Sequence, residues 1–320
     1  MKKILKENLS FIIFLICMIL VVKVELPYYI EAPGGTINLT KRITSNYQKE
    51  KGSLNMLYVT EYKGNIVTVL LSKIIPSWDL YKIENQQISD ENSHDIYIRN
   101  KVMLENSYQN ATFVAYNYAN KEITIENTEN IVIATTKNNG LKVGDIVLKI
   151  DNISVTDNQT IKDYLTTKKT GDIIDITIKR EDHEKKISIT LDEDKVIGIA
   201  LVTNHIYKTD NDLNLKFKTG EGGSSGGLIL SLGIYSEITG IDLLKGRNIA
   251  GTGTIDNNGN VGEIDGIKYK IAGAVKNNID LILVSPYNYE EAKQVINDNN
   301  YDIELVKVAT FKEAVEYLQK

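Results

Sequence analysis

The chain has 320 residues, and division by about 150 residues per core predicts two compact domains plus extras. An apolar share of 42% and a charged share of 25% exclude wholesale disorder, and a net charge of −5 argues against nucleic acid, whose phosphates need a basic face. One cysteine and three histidines exclude an internal disulfide and argue against a zinc, haem or iron–sulfur centre, so neither metal nor cofactor is expected.

At the N-terminus Lys2, Lys3 and Lys6 precede the apolar run from Leu9 to Val22. The run is short for a bilayer span, which wants about 20 residues, and fits the core of a cleaved leader equally well. No small-x-small cleavage site follows it, and Lys6 and Lys23 can snorkel so that Ile4, Leu5, Val24 and Leu26 lengthen the apolar stretch. Residues 1–26 are therefore expected to be a cytoplasmic tail and a single-pass transmembrane anchor. The lysine excess before the span predicts a body outside the cell membrane.

Residues 27–119 read as a β-rich, then helical, segment that packs on the last domain. Asn55–Thr60 and Ile66–Leu71 flank Lys63-Gly64-Asn65, which predicts a hairpin. From Asp90 to about Ala119 the pattern turns helical. Residues 120–195 form a small β module: strands at Ile131–Ile133 and Ile146–Ile150, a turn at Asn139-Gly140, a short helix from Thr160 to Thr167, and strands at Ile173–Lys179 and Lys186–Leu191. The run from Gly140 to Asp151 resembles bacterial PDZ domains, which bind extended peptides by adding them to a sheet edge beside a helix. The loop expected before Ile131 reads Asn127-Thr128-Glu129-Asn130, and Glu129 there would repel a peptide carboxylate.

Residues 196–320 carry the chemistry. Gly222-Gly223-Ser224-Ser225-Gly226-Gly227 leads into the apolar stretch Leu228 to Tyr235, a glycine-rich loop turning into a helix with serine at the junction. A hydroxyl there sits beside unpaired backbone N–H groups and the positive end of the helix dipole, which can hold an oxyanion. Capping of the helix by Ser224 or Ser225 is the plainer alternative. A phosphate-binding P-loop would need Gly-Lys-Ser/Thr, and Gly226-Gly227-Leu228 has no lysine. The elbow of α/β-hydrolases needs a histidine after the serine, and His94, His183 and His205 all precede it. A nucleophilic serine here would thus need a distant lysine as its base, or less readily a carboxylate.

A lysine can serve when neutral near pH 7, which requires its pKa to fall by roughly 3 units, or about 4 kcal/mol. Ile267, Ile271, Ala274 and Val275 make one helical stripe with Lys268 and Lys270 at its edges. Periodicity leaves both lysines open.

The run from Gly222 to Val284 resembles the proteolytic domain of Lon-type serine proteases, most closely the membrane-anchored, PDZ-containing forms of Gram-positive bacteria. The resemblance is carried by the serine loop, by Ile249–Ile255, by Gly259–Ile267 and by Ile279–Pro286. It implies an α+β fold ordered as transmembrane helix, β-rich segment, PDZ-like module and Lon-type proteolytic domain. It implies Ser225 as nucleophile, Lys270, 45 positions later, as base, and Thr252 as support. Gly223, Ser224 and Gly226 would line the oxyanion loop, with Ser224 and Gly226 standing where the family has proline and alanine. No Walker lysine matches, so the implied activity is an ATP-independent endopeptidase acting on peptides or exposed unfolded segments outside the membrane. The competing class is a Lon-like, PDZ-bearing surface protein that binds without turnover. Substrate identity and oligomeric state are not legible.

Overall fold

In the computed structural model, which describes residues 8–43, 51–82, 91–210, 213 and 215–320, the apolar run forms helix α1 (Leu9–Lys23). Its 15 residues reach about 22 Å at 1.5 Å per residue, against roughly 30 Å of hydrocarbon in a bilayer. Lys2, Lys3, Ile4, Leu5 and Lys6 lie outside the described residues. Val24, counted above as added apolar length, is the extended residue that ends the helix, and Leu26 belongs to strand β1 (Glu25–Asn38). Among the described residues no helix is long and apolar enough to cross a membrane. This overturns the expected transmembrane anchor, and the single-pass placement with an extracellular body goes with it.

The expected hairpin is also corrected. Strand β2 (Ser53–Asn65) runs straight through Lys63-Gly64, and Ile66–Ser72 is helix α2 rather than a second strand. The cause is local. The Asn65 side chain accepts from Thr68 N at 2.9 Å while Thr68 Oγ1 accepts from Asn65 N at 2.8 Å, a reciprocal cap that starts a helix. After β3 (Asp79–Lys82) comes the long helix α3 (Ser93–Tyr118), within the stretch where a helical pattern is predicted.

The next strands and helix belong to the small module. They are β4 (Ile123–Thr135), β5 (Ile146–Ile150), β6 (Ile153–Ser154), α4 (Asn158–Thr166), β7 (Ile173–Arg180), β8 (His183–Thr190) and β9 (Ile199–Thr209). Their sheet has the order β8-β7-β5-β4-β9, with β6 paired to β5. Asn127 to Asn130 are not a loop. They lie inside β4, opposite Ile206, His205, Asn204 and Thr203 of β9.

The chain then adds α5 (Gly227–Thr239), β10 (Asn248–Thr252), β11 (Thr254–Ile255), β12 (Val261–Gly262) and α6 (Ile267–Lys276). It ends with β13 (Leu281–Val284), α7 (Pro286–Asp298), β14 (Glu304–Lys307) and α8 (Phe311–Gln319). The large sheet has the order β14-β13-β10-β2-β1-β3. The β-rich N-terminal segment therefore does more than pack on the last domain: β2 pairs in parallel with β10, Ser53 opposite Asn248, in the middle of one sheet. Side chains alternate across it. Leu54 and Met56 face one core with α3, α5 and α8, while Leu57 faces the other with α6 and α7. This is a mixed α+β fold with a PDZ-like β module inserted between α3 and α5.

Candidate active site

Ser225 sits at the carboxyl end of β10, where parallel α/β sheets place their ligand crevices. Its carbonyl is held by that strand: Gly253 N donates to Ser225 O at 2.9 Å and Thr252 Oγ1 donates to it at 3.3 Å. Helix α3 holds the preceding residues. Ser107 Oγ donates to Ser224 O at 3.1 Å, and Gly223 N donates to Asn100 O at 2.8 Å. Farther back, Arg42 grips Glu221 with both terminal nitrogens, each at 2.6 Å.

Two glycines are required here by backbone and space. Gly223 has φ +87°, a region costly for L side chains. A Cβ on Gly226 would fall 2.3 Å from Met56 Sδ, so Met56 of β2 accounts for glycine where the resembling family has alanine. Gly226 then caps α5, whose N-terminus aims at the cleft. The Gly223 amide is committed to Asn100. The amides of Ser224, Ser225 and Gly226 donate to no group among the described residues, so the oxyanion set offered by the backbone begins at Ser224.

The two lysines left open by periodicity separate clearly. Lys268 is exposed and ion-pairs with Asp79. Lys270 is only 4% exposed, on the face of α6 that carries Ile267, Ile271 and Ala274 into the core. No hydrogen bond or ion pair engages its ammonium among the described residues. Burial pushes its pKa down from the ordinary lysine value to about 8, against an opposing pull from Asp265 and Glu31. Gly273 allows this depth, since its Cα side lies directly on the Gly34–Gly35 backbone of β1. Tyr269, next in the helix, is buried and donates to Asp79, which also accepts from Lys268.

Ser225 and Lys270 line one cleft of about 1700 Å³, together with Gly223, Ser224, Gly226, Met56, Glu31 and Asp265. The half-buried Ser225 hydroxyl, a lysine poised near neutrality and a row of open amides at a helix N-terminus form a set suited to acyl transfer. Thr252, fully buried, is brought to the Ser225 carbonyl rather than to the ammonium. Asn100, Ser107 and Met56 were missed by sequence reasoning. They lie more than 100 positions before the serine, and only the helical pattern of 90–119 hinted at an element that could reach it.

Residues 113–191 match the PDZ domain family. The chain is 29% identical over 99 residues to the Lon protease of Neorickettsia sennetsu, covering 31% of this chain and 12% of that one. It is 26% identical over 231 residues to the Lon protease of Campylobacter jejuni, covering 62% of this chain and 28% of that one. The chain thus spans less than a third of the length of these curated relatives. A PDZ domain of an SdrC-like protein from Listeria monocytogenes is 27% identical, with 25% of this chain and 93% of that chain covered and a TM-score of 0.23. The chain contains a PDZ domain, a kind of module that binds peptides or protein partners, and is weakly similar to Lon proteases.

Proposed function

We propose that the chain is a serine endopeptidase using Ser225 as nucleophile and Lys270 as base. The observation that carries this reading is the burial of Lys270 in the cleft that Ser225 lines, with a pKa near 8. A tenth or so of such a lysine is neutral at pH 7, enough for a general base of well-matched strength. In the reaction Ser225 Oγ attacks the substrate carbonyl carbon while Lys270 Nζ takes the hydroxyl proton. The C–N bond then breaks, and the ammonium gives that proton to the departing amine. Water completes the cycle by the same route, freeing the acyl group from Ser225. Open amides from Ser224 to Gly226 steady the negative oxygen of each tetrahedral species.

In this reading unstructured peptides and exposed segments are the substrates, and hydrolysis by this chain is expected to need no nucleotide. The weak similarity to Lon proteases supports this chemistry, and the PDZ domain suits presentation of extended chains. The test is hydrolysis of a quenched fluorescent unstructured peptide by the purified chain without nucleotide, together with covalent labelling by a serine-reactive probe. Both are expected in wild type and lost in Ser225→Ala. Labelling without turnover would favour the binding protein; Ser225→Ala as active as wild type would end the proposal.

A further inference from the structure

The residues that match the PDZ family end at Leu191, yet the PDZ sheet does not end there. Strand β9 lies beyond the match and occupies the outer edge of β4, antiparallel, with Val202 opposite Ile131, Leu201 opposite Val132, Ala200 opposite Ala134 and Ile199 opposite Thr135. Its Ile199 and Leu201 pack into the module core with Ile161, Tyr164 and Leu165 of helix α4. A strand added to a sheet edge beside a helix is how PDZ domains hold extended peptides. The opposite edge is β8, whose His183, Glu184, Lys185 and Lys186 are all exposed, a charged border that discourages pairing.

We propose that residues 199–202 are an intramolecular ligand of the PDZ sheet, and that an extended peptide with aliphatic residues two positions apart competes with them for β4 and α4. The segment is suited to leave. A bulge interrupts its pairing between Val132 and Ala134, Ala200 is exposed, and an exposed acidic stretch from Asp192 to Asp194 precedes it.

Departure would be felt at the serine loop through α3. Asn106 Nδ2 donates to Thr203 O at 3.1 Å, Gln109 Oε1 accepts from Tyr207 N at 3.2 Å, and Phe113 stacks on Tyr207. The same helix supplies Asn100 and Ser107 to Gly223 and Ser224. Displacing residues 199–202 therefore frees the chain up to Thr203 and strains the nearest of these contacts, on one side of the helix whose other contacts set the loop. This second half rests on the peptidase reading of Ser225, whereas the competition for β4 does not.

The test uses the full chain carrying Cys17→Ser, Ser225→Ala, Ala134→Cys and Ala200→Cys, so that oxidation ties β9 to β4 across directly opposed residues. The probe is a fluorescein-labelled peptide of sequence Gly-Ile-Ala-Leu-Val-Thr, read by anisotropy. The reduced chain is expected to bind at least tenfold more tightly than the oxidised one, with dithiothreitol restoring affinity. In the unclamped chain, Leu201→Pro is expected to raise affinity at least fivefold, because it removes an aliphatic contact from the module core and fixes φ away from strand geometry. Equal affinity in both redox states, or no binding by reduced and Leu201→Pro chains alike, overturns the proposal. Amide exchange at Gly223, whose N–H is held by Asn100 of α3, and at Gly227 and Leu228 is expected to quicken on binding only in the reduced chain; unchanged exchange overturns the link through α3. Switching of binding in a chain whose Ser225 form never hydrolyses peptides would end the peptidase reading and leave the intramolecular ligand standing.

Discussion

Each of the two sheets encloses a buried charged group, and the two groups are treated in opposite ways. In the PDZ module Asp145 is 1% exposed, but Arg180 donates to both its oxygens at 2.6 and 2.7 Å and Lys142 N donates at 2.8 Å. In the large sheet's domain Lys270 is nearly as buried and has no such partner among the described residues. A fully satisfied buried charge holds its neighbours in register. An unsatisfied one is a standing cost, and such costs collect where a shifted pKa is used.

Lys270→Met tests the contrast most strongly. It keeps the side-chain length and removes the charge, so hydrolysis is expected to fall by 10²–10⁴-fold, the usual contribution of a general base. Stability is expected to move the other way. The folded-state pKa of about 8 lies below the ordinary 10.5, so the unfolded chain binds more protons between those values. Wild-type stability then rises with pH across that window, and the penalty is complete below pH 8. Removing it gains on the order of 3 kcal/mol at pH 7. Urea melts at pH 7 and pH 10 measure this, and they should differ for wild type but converge for Lys270→Met. Wild-type activity should rise with pH through about 8; a flat profile from pH 6 to 9 would separate Lys270 from the chemistry.

Arg180→Ala should act in the reverse sense. It strands a buried carboxylate, at a cost of about 3 kcal/mol to the PDZ module, and leaves the serine–lysine cleft intact. Thermal melts should show an early transition, while labelling of Ser225 by a serine-reactive probe persists below it. Loss of labelling at temperatures where the module is still folded would contradict the separation of the two regions.

A smaller effect is expected from Gly226→Ala. The new Cβ meets Met56 Sδ, a movable atom in a close-packed core, so the cost is about 1–3 kcal/mol. Met56→Ala should relieve part of it. The double variant measured against the two singles should therefore be clearly non-additive, and simple additivity would deny that Met56 is what requires glycine here.

What could be read before folding follows from how local each feature is. The serine loop is contiguous, so its glycines and the apolar helix behind it announce themselves. The PDZ strands are mostly consecutive hairpins, and their alternation is plain. Periodicity leaves Lys270 and Lys268 open and only the family resemblance points to Lys270; the physical difference between them lies in which side of α6 meets Gly34 and Gly35, more than 200 positions away. Asn100 and Ser107 are ordinary polar residues on a polar helix, and nothing in their spacing marks them. Asn127 to Asn130 resembled a loop because both faces of the β4–β9 ribbon carry polar residues there. The N-terminal run suggests a membrane span because no small-x-small site follows it and flanking lysines could snorkel to lengthen it, but the chain turns into β1 after Lys23, before that length is reached.

Thr252→Val is the finest test of how the two domains differ. It preserves shape at a site with no exposure and removes one long bond, from Thr252 Oγ1 to Ser225 O at 3.3 Å. The Ser225 carbonyl keeps its shorter bond from Gly253 N at 2.9 Å, so the loop should hold its course. A loss of about 1 kcal/mol in stability is expected from a net hydrogen bond of this kind. The kcat should fall less than tenfold with KM unchanged, since Thr252 touches the serine's backbone rather than its hydroxyl. A hundredfold fall in kcat with an unchanged melt would instead put the threonine hydroxyl in contact with the reacting atoms. The PDZ transition should stay where it is in either case, because Thr252 belongs to β10 and the module's core is built from residues between Val132 and Leu201.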